Sequence, residues 1–224
     1  MIIVLANTKG GVGKTTLAVH IAVWLHDRGL PIAFIDADKQ LSSAQWIEEV
    51  EPTIPLRTAC TPEECLEACE RLRYESACVI CDGPAGLDDV SRSLMLMADL
   101  ALMPISPSIL DLRSVTQATS ILRYAQKING DRPQGALVLN KMRRRDRISR
   151  ELARAVPSLG IGVATSVIRD LQAFRESAQQ GTVVSRMKRR SGPAASDLDA
   201  FCRELFGDWL CEMGIAYEQE ARSS

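Results

Sequence analysis

Lys9-Gly10-Gly11-Val12-Gly13-Lys14-Thr15-Thr16 is the stretch that decides the reading of this 224-residue chain. It stands between an apolar run, Ile2 to Ala6, and a segment with apolar residues at helical spacing, Ala18, Ile21, Ala22 and Leu25. Strand, glycine-rich turn and helix form the context that lets such a motif bind phosphate. Gly10, Gly11 and Gly13 let the backbone wrap a phosphate chain and aim amide hydrogens inward at the helix N-terminus. In that reading Lys9 to Thr16, Val12 included, form a nucleotide cradle. Lys14 reaches the β- and γ-phosphates, the Thr15 hydroxyl takes a place on Mg2+, and Thr16 bonds the α-phosphate. The plain alternative is a glycine turn with accidental lysines.

Outward from the motif, short apolar runs recur at Ile32 to Ile35, Cys78 to Cys81, Leu100 to Ile105 and Ala136 to Leu139, each bounded by turn-forming residues. They read as buried strands, with a sixth expected at Gly162 to Ile168. Helical spacing fills the gaps, as at Leu112, Val115, Ala118, Ile121 and Leu122. A helix is expected from about Asp170 to Gln180, then a loop over Lys188 to Pro193, then a closing helix from Ser196, as N-cap, to Met213. Strands alternating with helices predict an α/β fold, a single P-loop domain over residues 1–224 with a mostly parallel, doubly wound sheet.

Magnesium chemistry needs a carboxylate at the end of a neighbouring strand, and Asp82 follows the run Cys78 to Cys81. The next four residues, Gly83-Pro84-Ala85-Gly86, read as a turn whose amides sense the γ-phosphate. Asp36 and Asp38 follow the second run, and alternation points both the same way if the strand persists. One of them suits orientation of an attacking water, turn-forming aspartates at a strand end being the plain alternative.

Strict P-loop spacing asks for glycine where this chain has Thr8, with an additional lysine at Lys9. Lys9-Gly10-Gly11-x-Gly13-Lys14-Thr15 resembles the deviant Walker A box of the ParA/MinD superfamily. The likeness continues through Ile35-Asp36-Ala37-Asp38-x-Gln40, Ile80-Cys81-Asp82-Gly83-Pro84, Met103-Pro104-Ile105-Ser106-Pro107-Ser108 and Leu139-Asn140-Lys141. Length and the contexts of Trp46 and Asp111 look most like ParF-type partition ATPases of plasmids. The resemblance implies slow, partner-stimulated ATP hydrolysis, with ATP and Mg2+ as cofactors. It implies that Lys9 crosses an ATP-sandwich homodimer, that Asp38 sets the water, and that Asp36 and Asp82 serve the magnesium shell. Asn140 would contact adenine, with Lys141 beside it, although a strand-terminating asparagine is a fair alternative. It further implies non-specific duplex DNA binding, a ParB-like or cargo-adaptor partner, and a cytoplasmic protein on the nucleoid when ATP-bound. The family usually has proline after the second aspartate. Lys39 here removes that rigid turn and adds a cation.

Net charge is −1, yet residues 1–112 carry −8 and 113–224 carry +7. Between Lys141 and Arg190 stand 13 basic and 4 acidic residues. Arg143, Arg144, Arg145, Arg147, Arg150, Lys188, Arg189 and Arg190 are the candidate DNA contacts, solvated helix faces being the bland alternative. A MinD-like membrane-surface ATPase is the alternative function. It needs a basic amphipathic tail, but residues 201–224 hold two basic and five acidic side chains. Phe201, Leu205, Trp209 and Met213 form an apolar stripe better docked on the core. No tract of about 18 to 20 apolar residues spans a bilayer, and Met1 to Ala6 reads as a first strand rather than as a signal peptide. The seven cysteines are odd in number and irregular in spacing, against a disulfide framework. Cys78-x-x-Cys81 has metal-ligand spacing, but within a buried strand it reads as structural. Iron-sulfur relatives place cysteines in loops where this chain has none, and a kinase reading lacks an acceptor segment.

Overall fold

A computed structural model describes residues 1–86, 88–107, 109–143, 147–155, 160–187 and 191–215, with backbone only for 109–115. In chain order the elements are β1 (Ile2–Asn7), α1 (Lys14–His26), β2 (Ile32–Asp36), α2 (Ser42–Val50), β3 (Leu56–Thr58) and α3 (Pro62–Glu75). There follow β4 (Cys78–Ala85), α4 (Asp89–Met97), β5 (Leu100–Ile105), α5 (Ile109–Asn129) and β6 (Gln134–Leu139). The chain closes with α6 (Arg147–Ala155), β7 (Gly162–Val163), α7 (Gln172–Gln179) and α8 (Gly192–Glu212). Among the described residues seven strands form one sheet in the order β3-β2-β4-β1-β5-β6-β7. Every paired neighbour is parallel.

The strands read as unbroken apolar runs because helices cover both faces. Along β1, Ile3 and Leu5 face one core layer, with Leu17, Trp24 and Phe201, while Ile2, Val4 and Ala6 face the other, with Leu72, Leu94 and Leu122. The motif helix α1 is buried nearly all round, from Leu17 to Leu25, since it lies under the sheet and beneath α8. Cys78 falls in the first layer and Cys81 in the second, so their side chains leave opposite faces of β4 and share no metal. Burial pushes the Cys78 thiol up to about 12.

The structure redraws several expected boundaries. Edge strand β3 has no apolar run to announce it, since only Leu56 is half-buried. The sixth expected strand is limited to Gly162–Val163, and residues 165 and 166 instead give their backbone N–H groups to Glu204, at 2.6 and 2.7 Å. The expected helix from Asp170 starts at Gln172. The closing helix starts at Gly192, not Ser196, because Pro193 supplies the φ of a first helical turn. Its flanking Ser191 donates to the Met187 carbonyl, 3.1 Å away, rather than capping the helix. Gly83, Pro84 and Ala85 continue β4 rather than turning. Gly83 is there because a Cβ would come within 2.8 Å of the Leu5 carbonyl oxygen, where the β1–β4 register shifts.

Candidate phosphate-binding site

The site lies at the carboxyl ends of β1, β2 and β4, the crevice where open parallel sheets place ligands. Asn7 ends β1 and steers the chain into the loop, accepting from the Lys9 N–H at 3.0 Å and donating to the Pro104 carbonyl at 2.6 Å. Gly11 and Gly13 hold φ of +76° and +97°, so the loop needs glycine at both. Gly10 is not so constrained, for a Cβ there would meet only the Ala85 methyl at 3.9 Å. Lys14 is 6% exposed, with its ammonium donating to the carbonyls of Asn7 and Lys9 at 3.3 and 3.4 Å. Burial lowers its pKa, and Asp82 and Asp38 oppose that.

Three carboxylates take different parts. Asp82 is fully buried and accepts the Thr15 hydroxyl on Oδ2 at 2.6 Å, while its Oδ1 meets no partner among the described residues. Burial pushes it up to about 7, with Asp36 adding to the rise and the Thr15 and Ser43 hydroxyls and Lys14 working against it. Asp36, also buried, accepts the Asp38 N–H at 3.0 Å and the Ala44 N–H at 2.8 Å. It therefore ties the end of β2 to the start of α2. The strand stops at Asp36, so Asp38 stands on a turn rather than by alternation. Asp38 makes that turn itself, its carboxylate accepting from Gln40 N–H at 2.9 Å and its carbonyl from Leu41 N–H at 2.9 Å. Where Lys39 removes a proline, a side chain closes the loop, and Leu41 takes φ +52°.

Asn140 and Lys141 reach the motif from β6. Asn140 donates to the Val12 carbonyl at 2.8 Å, and Lys141 donates to the Gly11 carbonyl at 2.6 Å. A Cβ on Gly13 would come within 2.3 Å of the Asn140 amide, so loop and asparagine are fitted to each other. Both residues also line a cleft of about 300 Å3 with Thr16, Leu171, Phe174 and Arg175. Its rim carries Asp170, which accepts from Arg143 at 2.6 Å and Arg175 at 2.9 Å. Two wider clefts, each of about 480 Å3, lie on α4–α5 and beside α6, and neither is lined by the motif.

The expected basic surface is only partly in view. Arg144, Arg145, Lys188, Arg189 and Arg190 lie outside the described residues. Arg143, Arg147 and Arg150 are exposed at α6. Arg143 is paired with Asp170 and Arg147 with Glu151, and Arg169, Arg175 and Arg186 likewise meet carboxylates. Among the described residues, then, five of these arginines are engaged with carboxylates. Sequence reading missed Asn7, Ser43, His20 and Asp170. Of these only Asn7 left a signal, a polar residue at a strand end immediately before the motif.

The tail is docked. On α8, Leu198, Phe201, Phe206 and Leu210 are buried, Leu205 and Trp209 pack against them, and Met213 is exposed. Asp199 accepts from the Trp24 indole at 2.9 Å and from Arg28, whose guanidinium lies 3.4 Å above the Trp24 ring. No helix among the described residues is long and apolar enough to cross a membrane.

Comparison with known proteins gives the family and the fold. The chain is 29% identical over 205 residues to maintenance of carboxysome distribution protein A of Halothiobacillus neapolitanus, covering 89% of this chain and 94% of that protein. It is 24% identical over 213 residues to protein ParA of Rhizobium radiobacter, covering 92% and 96%. The solved ATP complex of a Cyanothece McdA variant superposes with a TM-score of 0.76 at 17% identity, over 98% of each chain, and shares the fold. The model of the CobQ/CobB/MinD/ParA nucleotide-binding domain matches residues 3–184, and the chain belongs to that family.

Proposed function

We propose that this chain is a ParA-like ATPase that dimerises on ATP, binds duplex DNA without sequence preference and positions a cargo with a partner protein. The observation that carries the ATPase part is the convergence of Lys14, Thr15 and Asp82 at one loop, with Asp38 on a turn held by Asp36. The residues fit magnesium. A buried carboxylate oxygen without a partner among the described residues belongs to the same carboxylate that binds the Thr15 hydroxyl, an oxygen-only donor set suited to a hard cation. Thr15 and Asp82 would hold the ion, and the ion would neutralise charge on the β- and γ-phosphates.

In this reading Lys14 leaves the Asn7 and Lys9 carbonyls for phosphate oxygens, a stronger, charge-assisted bond. Lys9 reaches the partner subunit's nucleotide. Asp38 orients water, and Asp36 acts chiefly by holding Asp38 and α2 in place. The cleft at Phe174 takes the base, with Asn140 and Lys141 bracing the loop behind it. Cargo is either DNA or a protein body, in keeping with the names of the relatives. Exposed Arg143, Arg147 and Arg150, with Arg144, Arg145 and Lys188 to Arg190, would meet DNA phosphates. A membrane-surface role needs an apolar face that α8 spends on the core.

ATP turnover tests the chemistry. Asp38→Ala is expected to bind ATP near wild-type affinity and lose hydrolysis by about 100-fold or more, while Lys14→Ala loses binding as well. Unchanged turnover in Asp38→Ala would remove it from the mechanism.

A further inference from the structure

Among the described residues three buried side-chain polar atoms lack a hydrogen-bond partner: His26 Nδ1, Ser43 Oγ and Asp82 Oδ1. Buried polar groups are almost always paired, and an unpaired one in a native fold calls for a ligand, an ion or a stored strain. Two of the three belong to one place. Ser43, fully buried, is the second residue of α2. Its hydroxyl stands near enough to the Asp82 carboxylate to hold the pKa down as a hydrogen-bond donor does, yet neither it nor Oδ1 reaches hydrogen-bond geometry with a described partner. The other Asp82 oxygen is committed to Thr15. Asp36 fixes Ser43 from behind, since its two oxygens hold the N–H groups of Asp38 and Ala44.

We propose that Ser43 is a magnesium-positioning residue: its hydroxyl and Asp82 Oδ1 form a two-oxygen clamp for a hydrated Mg2+ brought by the nucleotide. The inference rests on the Mg–ATP reading of the motif. Magnesium sheds water reluctantly and is commonly held through it, so an oxygen set back from the ion still contributes. An alanine at position 43 would fill the same buried space without an unpaired hydroxyl, so packing alone does not call for serine. Because Ser43 sits on α2 directly after the Asp38 turn, the clamp also links ion occupancy to the loop that orients water. Asp36 is the shared anchor.

The test compares wild type with Ser43→Ala by titrating MgCl2 into protein and a fluorescent ATP analogue, with EDTA as the ion-free control. Melting of the nucleotide-free protein is followed in parallel. The Mg2+ concentration for half-maximal tightening is expected to rise about tenfold or more. Affinity in EDTA stays unchanged, and the nucleotide-free melting temperature stays level or rises. Ser43→Cys, close in size but a weak donor, is expected to fall nearer alanine than serine. Equal Mg2+ requirement in wild type and Ser43→Ala overturns the clamp, as does an equal loss of affinity with and without the ion. Wild type whose nucleotide affinity ignores Mg2+ overturns the Mg–ATP reading itself, and the clamp with it.

Discussion

His20 joins four segments through one fully buried imidazole. Its Nδ1 lies 2.7 Å from the Thr16 carbonyl, and its Nε2 accepts the Val184 N–H at 3.2 Å. Its ring meets Trp46 and Phe174 edge-on at 5.5 and 5.3 Å. An Nε2 that accepts a backbone N–H has no room for a proton. Burial accordingly lowers the His20 pKa to about 4, against the Thr16 bond that favours the charge. The unfolded chain takes up that proton near pH 6.5, before the folded protein does. Stability is therefore complete above about pH 6.5, declines as pH falls towards 4, and loses on the order of 3 kcal/mol across that window. Urea unfolding between pH 7 and 4 measures it. His20→Gln is expected to flatten the profile, and parallel profiles would show that His20 does not titrate as described. Gly13 offers a second residue-scale expectation. Gly13→Ala places a methyl against the Asn140 amide at positive φ, so nucleotide binding should fall by more than about tenfold. Calorimetric titration with unchanged affinity would refute that fit.

At the scale of elements, α8 is a buttress. Its Asp199 holds Trp24 and Arg28 of the motif helix region, Asp197 pairs with Arg169, and Glu204 caps the segment at residues 165 and 166. Asp199→Ala leaves the buried Trp24 indole N–H without its acceptor. Partial exposure of the ion pair limits the cost to about 1–2 kcal/mol in urea midpoint analysis. No measurable change would mean that apolar packing alone seats α8. These contacts also show why the sequence was legible in one part and opaque in another. Strand β1, the glycine loop and α1 are consecutive, Asp36 ends its strand and Asp82 follows an apolar run inside β4, so pattern and spacing reveal them. Ser43, His20 and Asp170 act through partners far along the chain, as His20 does with Val184 164 residues away, and nothing local marks them. Strand β3 pairs at an edge with exposed side chains and shows no apolar period. The start of α8 was hidden by Ser-Gly-Pro, which reads as a loop until Pro193 is placed in the first turn.

For the whole molecule, charge and fold divide the labour. The acidic half brings the motif and its carboxylates, and the basic half brings Asn140, Lys141, most of the lining of the Phe174 cleft and the arginines. Among the described residues several arginines already hold carboxylates, and Arg150 is exposed on α6. A steep fall of affinity with rising salt is expected, each phosphate contact contributing a slope of about −0.9 in log–log terms. Arg150→Ala is expected to lower that slope by about one. An unchanged slope would place the interface elsewhere. The most direct test of the central proposal is fluorescence anisotropy of random-sequence duplex DNA with Asp38→Ala protein at low salt, in ATP–Mg2+, ADP–Mg2+ and no nucleotide. Binding confined to ATP–Mg2+ is the expected result; equal binding in all three states, or none in any while ATP affinity is intact, contradicts an ATP-gated DNA switch.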